Sequence, residues 1–207
     1  MAAVMISAAG CRNAAPAADF TASELALIRE VGSRGADASA DVPSGTMRVL
    51  TIEDSYDLAV LRAKSTDISD RSLLSEDYST LCSLMVATVT HPSQDGVGIA
   101  GPQVGLNRRV VAVQRFDKEG EPFEVYPNIR IVWASDSLQP GPEGCLSVPD
   151  RRGDVLRSQE IVIEYTSTTG GSDGVLETVQ ERIEGFTAVI FQHEIDHLEG
   201  VLYIDRL

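Results

Sequence analysis

The chain lacks any run of roughly 18 consecutive apolar residues, the minimum for a membrane-spanning helix. It is poor in positive charge. Its 17 Lys and Arg stand against 31 Asp and Glu, a net charge of −14. Docking on a phosphate backbone needs a basic patch, and the densest basic points here are the pairs Arg108-Arg109 and Arg151-Arg152. Nucleic acid is therefore not an expected partner. No internal repeat is visible. Histidine is scarce, with only His91, His193 and His197, and so is cysteine, with only Cys11, Cys82 and Cys145. Three cysteines suit a reducing compartment without requiring one.

Against this scarcity, two of the three histidines fall in one run, QHEIDHLEG. His193 and His197 are four apart, so on a helix they lie one above the other and can bind one metal ion. Glu194 then stands where a general base is needed, beside a metal-bound water. Phe186, Val189, Ile190 and Ile195 recur at roughly helical spacing, and Gly200 is a natural stop.

Two ligands do not complete a catalytic site of this type, which takes three and an open position. A third His six residues after the second is ruled out, because that position is Tyr203. A Glu from a helix well downstream is not expected either, because the sequence ends ten residues after His197. The third ligand is then expected upstream, among His91, the three cysteines and the carboxylates. Cys145 is the best of these, in the turn-like segment PGPEGCLSVP, read as a turn entering a short strand. Cys82 suits a buried helix face. Cys11 lies in an alanine-rich stretch, and His91 precedes Pro92 at an apparent helix end.

GVGIAGPQVG (Gly96 to Gly105), EGCLS (Glu143 to Ser147) and QHEIDHLEG (Gln192 to Gly200) resemble the three signature motifs of peptide deformylases, in order. The resemblance runs from about Val49 to Leu207. Ile99 and Gly101 depart from the usual Leu and Ala, and Pro127-Asn128 stands where Asn-Pro is common, which reads as a local turn change. The resemblance implies a metal-dependent hydrolase that takes the formyl group from formyl-methionyl peptides and nascent chains. It implies Cys145, His193 and His197 as ligands of one divalent ion. Fe(II) is favoured, with Zn(II), Ni(II) or Co(II) also suited. Glu194 would be the general base, and Gln103 with the Leu146 backbone N–H would steady the oxyanion. Substrate would lie against Val97, Gly98, Ile99, Glu143, Gly144, Phe186, Val189 and Ile190. Glu143 would hold its loop by accepting hydrogen bonds, for instance from Arg152 or a liganding His. GVGIAG also mimics a dinucleotide fingerprint, but no acidic βαβ partner follows and Pro102 disfavours a helix there, so no nucleotide cofactor is expected.

Leu73 to His91 reads as an amphipathic helix. RVVAVQRF, PFEVYPNIRIVW, EIVIEYTST and VLETVQERIEG read as strands, with a turn at Gly170 to Gly174. The expected fold is α+β, with antiparallel or mixed sheets around a central metal-binding helix. Residues 46–207 form the catalytic domain. Residues 1–45 are an Ala-rich leader and linker, with a short helix over 21–31 capped by Thr21 or Ser23. The stretch ending in Ala-Gly-Cys faintly resembles a lipoprotein signal with Cys11 as its lipidated residue, but it lacks a positive n-region. A cytoplasmic enzyme is the primary expectation and an exported lipoprotein the alternative. The sequence ends at YIDRL without a basic helix, so weak or no ribosome docking is expected. Another metallo-amidase or protease, and a non-catalytic or substrate-shifted envelope relative, are the competing functions.

Overall fold

A computed structural model describes residues 16–33, 43–168 and 175–207. Cys11, most of the expected linker and the Gly170 to Gly174 turn lie outside the described residues. No helix among the described residues is long and apolar enough to cross a membrane.

The helices begin where side chains can satisfy their free N–H groups. Helix α1 (Ala22–Ser33) opens on a reciprocal cap: Glu24 N–H donates to Thr21 Oγ1, and Thr21 N–H donates to Glu24 Oε2. Helices α2 (Ser55–Leu61), α3 (Asp70–Leu73) and α4 (Glu76–Val89) are capped by Asp54, Ser69 and Ser75. The single helix expected from Leu73 to His91 is thus two. Ser75 adopts an extended conformation to cap α4, so Leu73 ends α3 and Leu74 lies in the turn between the two.

The strands form three antiparallel groups: β1 (Gly98–Ala100), β2 (Val110–Gln114) and β3 (Phe123–Pro127); β4 (Arg130–Ala134), β7 (Glu160–Ser167) and β8 (Glu177–Glu184) in the order β4-β7-β8; and the hairpin of β5 (Leu138–Cys145) with β6 (Val148–Ser158). Helix α5 (Gly185–Leu198) follows β8, and a final 3-10 turn spans Tyr203–Arg206. The run PFEVYPNIRIVW does not stay one strand. Asn128 takes φ +55°, and the chain passes from the first sheet to the second there. The Asn128 amide exchanges hydrogen bonds with both backbone groups of Ile68. Pro127-Asn128 is therefore a structural joint between the two sheets.

Alternation across the first sheet divides the core. Ile99, Val110 and Ala112 face α1 and α4, with Ile28, Leu81 and Met85. Ala100, Val111 and Val113 face α5, with Phe191, Ile195 and the second sheet's Ile161, Ile163 and Ile183. The metal helix is central, as expected, lying between these sheets. Helix α1 belongs to the body of the protein: Ile28 is fully buried, and Glu24 holds the buried Arg108 guanidinium. Ile28→Ala is expected to cost about 2–4 kcal/mol in denaturant unfolding. A change below ~0.5 kcal/mol would show that α1 merely rests on the surface.

Candidate metal centre

Helix α5 presents His193 and His197 on one side, with ring centroids 5.2 Å apart. Cys145 comes from the end of β5, where the ladder with β6 shifts register between Gly144 and Cys145. The segment before Cys145 is therefore a strand of a long hairpin, not a turn entering a short strand. Its glycines and prolines hid that pairing. Ligand atoms of Cys145, His193 and His197 all lie within 4.8 Å of one another. Cys145 Sγ is 3.2 Å from His197 Nε2. Around an ion with bonds of about 2.0–2.3 Å, tetrahedral ligand atoms stand about 3.5 Å apart, so this donor set fits a single divalent ion.

His193 is held in place by a chain of buried groups. His193 Nδ1 shares a 2.8 Å hydrogen bond with Glu143, leaving Nε2 for the metal. Glu143 is gripped by the buried Arg157 through Nε and Nη2, at 2.7 and 2.9 Å. Arg157 also bonds Asp196, which Arg206 clamps from the final turn. The expected bond from a candidate liganding His is present, and the arginine that holds Glu143 is Arg157, not Arg152. Arg152 lies exposed across the ladder from Gly144. The signal for Arg157 was present in its parity with the buried Val155, two residues earlier on β6. Tyr203 stacks on the His193 ring, with centroids 6.1 Å apart and the planes tilted by 22°.

Burial and hydrogen bonding set the charges. Burial penalises the Glu143 carboxylate, but the bonds from Arg157 and His193 outweigh it and hold its pKa down to about 2. Burial also opposes charge on His193, yet bonds with Cys145 and Glu143 carry it up to about 10. Burial drives His197 well below its usual value. Glu194 is raised to about 7, chiefly by burial. Its Oε2 and the His197 Nδ1 are buried without a partner among the described residues.

The first motif meets this centre through β1. A Cβ on Gly98 would lie 2.5 Å from Glu194 Oε1, so only glycine lets the backbone run this close. Gly98→Ala is expected to displace the carboxylate and lower kcat about 100-fold while metal binding persists. An unchanged kcat would mean that Glu194 works from a different rotamer. Gln103 follows β1 on a 3-10 turn. Its Oε1 accepts from Ala100 N–H, so Nε2 faces Cys145 Sγ at 3.6 Å and Ser147 Oγ at 3.3 Å.

A cleft of about 790 Å³ opens beside the ligands. Val97, Gly98, Glu143, Gly144, Leu146, Phe186, Val189 and Ile190 line it together with Gln103, Cys145, His193 and Glu194. Ile99 does not. It points to the opposite side of β1 and is fully buried against α4's core, because side chains alternate along a strand. His91 bonds Ser93 at the end of α4 and Cys82 sits on that helix, both away from the ligand triangle.

The chain is similar to known proteins over most of its length. The chain is 38% identical to a peptide deformylase of Caulobacter vibrioides over 162 residues, covering 77% of this chain and 87% of that one. It is 36% identical to a peptide deformylase of Leptospira biflexa over 155 residues, covering 72% and 82%. A Met-Ala-Ser-bound crystal structure of a class I type b peptide deformylase from Acinetobacter baumannii superposes with a TM-score of 0.67 at 33% identity, covering 78% of this chain and 98% of that one. A Thermotoga maritima peptide deformylase gives a TM-score of 0.66 at 33% identity, covering 78% and 97%. The polypeptide deformylase family model matches residues 47–207, a span that takes in the hairpin, the metal helix and all three motifs, and the chain belongs to that family.

Proposed function

We propose that in this chain's reaction, the removal of N-terminal formyl groups, Cys145, His193 and His197 hold one divalent ion and Glu194 moves the proton. When bound, such an ion supplies Lewis acidity and lowers the pKa of water. Glu194 has the properties of the base. It is buried and its pKa of about 7 lets it both take and return a proton near neutral pH. Gln103 Nε2, fixed by the Ala100 bond, donates to the oxygen that gains charge as the formyl carbon is attacked. The Leu146 backbone N–H is its partner in that role. The methionine side chain occupies the apolar wall of Val97, Phe186, Val189 and Ile190. The bound Met-Ala-Ser of the Acinetobacter relative supports a peptide beginning with methionine.

The observation that carries this assignment is a desolvated carboxylate packed against Gly98 and next in sequence to a member of the Cys-His-His triangle. Thiolate and imidazole donors suit Fe(II), the favoured ion, and also Zn(II), Ni(II) and Co(II). Residues 46–207 are the catalytic domain on this reading, acting where formylated chains are made. The test is formate release from formyl-Met-Ala-Ser by protein loaded anaerobically with Fe(II), and separately with Ni(II). Release, with none from the acetylated peptide, is expected. Silence from fully metallated protein would overturn the assignment.

A further inference from the structure

Among the described residues, ion pairing leaves out two arginines. Every other described arginine reaches a carboxylate, including the exposed Arg29, Arg71 and Arg182. Arg151 and Arg152 have no such partner among the described residues, although carboxylates far outnumber cations in the chain. Both line the substrate cleft. Their placement is fixed by the hairpin. Arg152 pairs across the ladder with Gly144, and its Cγ and Nε would lie 3.6 and 3.9 Å from a Cβ built there. The chain enters this stretch through Asp150, held at φ +58°. Asp95 and Asp150 share the rim, and no ion pair joins either to the arginines. Of the other two carboxylates of the cleft, Glu143 is committed to Arg157 and His193, and Glu194 is buried against Gly98.

We infer that Arg151 and Arg152 recognise an acidic side chain on the formylated peptide, in the residues that follow the methionine. This rests on the deformylase assignment. With the formyl group at the ligand triangle and methionine in the apolar wall, the rest of an extended peptide advances about 3.3 Å per residue toward the rim. A planar guanidinium offers paired N–H donors to a carboxylate, and two side by side also hold it electrostatically. The site selects among substrates, so it acts mainly through KM.

The experiment compares C-terminally amidated formyl-Met-Ala-Glu, formyl-Met-Ala-Gln and formyl-Met-Ala-Lys with the metal-loaded enzyme. Amidation removes the chain-terminal carboxylate, the other source of the same chemistry. KM for the Glu peptide is expected to be about 3–10-fold below that for Gln, and KM for Lys higher still, with kcat similar across the three. Raising the salt from 50 to 500 mM should shrink the differences. In the double variant Arg151→Gln/Arg152→Gln the Gln-to-Glu ratio of KM values should fall to about 1, and in Arg151→Glu/Arg152→Glu the order should reverse. Equal KM values in the unaltered enzyme overturn the inference. So does a Glu preference that survives the Gln variant, or one that appears only when the terminal carboxylate is free. Absence of formate from every peptide would instead sink the deformylase assignment.

Discussion

Glu194→Gln is expected to bind metal at the level of the unaltered protein and to lose about 10²–10⁴-fold in kcat. The substitution is nearly isosteric and removes a charge-bearing group from a fully desolvated position, so the fold should tolerate it. What it removes is the proton traffic. An amide cannot take a proton near neutral pH, whereas the carboxylate, with its pKa lifted by burial to about 7, can. Metal content and formate release measured on the same preparation check this. A kcat within tenfold of the unaltered enzyme would remove Glu194 from the mechanism.

Cys145→Ala should act at the earlier step, metal capture. Two imidazoles four residues apart remain, without the thiolate that completes the triangle. Loss of a supporting group around a metal commonly weakens affinity 10–100-fold, and loss of a direct ligand should exceed the upper figure. The variant is expected to purify without stoichiometric metal and to release no measurable formate. Stoichiometric metal in Cys145→Ala would mean that another group, such as Glu143 or Glu194, closes the coordination.

The two variants separate binding from turnover, and both were readable in the sequence. Short motifs carry their own geometry: His193, Glu194 and His197 needed only a helix to converge, and EGCLS needed only to be brought near it. Parity and pairing were harder to read. Ile99 sits inside a motif whose neighbours line the cleft, but alternation turns it into the core. The long β5–β6 hairpin was obscured because Pro140, Gly141, Pro142 and Gly144 carry turn signals while in fact forming a ladder. Arg157 was missed because a lone basic residue on a strand looks solvated until its partners, 14 and 39 residues away, are known. Local periodicity located α1, α4 and α5 to within a turn but gave no sign of the short α2 and α3, and Ser75 marks where it failed, since a capping serine interrupts an otherwise continuous apolar stripe.

The proposed ligands also have a mechanical meaning. Cys145 and His197 are 52 residues apart, one on a hairpin and the other on a helix. An ion shared between them staples the two elements, as a disulfide of that span would, and it does so only in the folded chain. Occupancy and unfolding are then one equilibrium. A chelating inhibitor that extracts the ion would silence the enzyme and also release the hairpin from the helix, so the damage would outlast the inhibitor until metal returned.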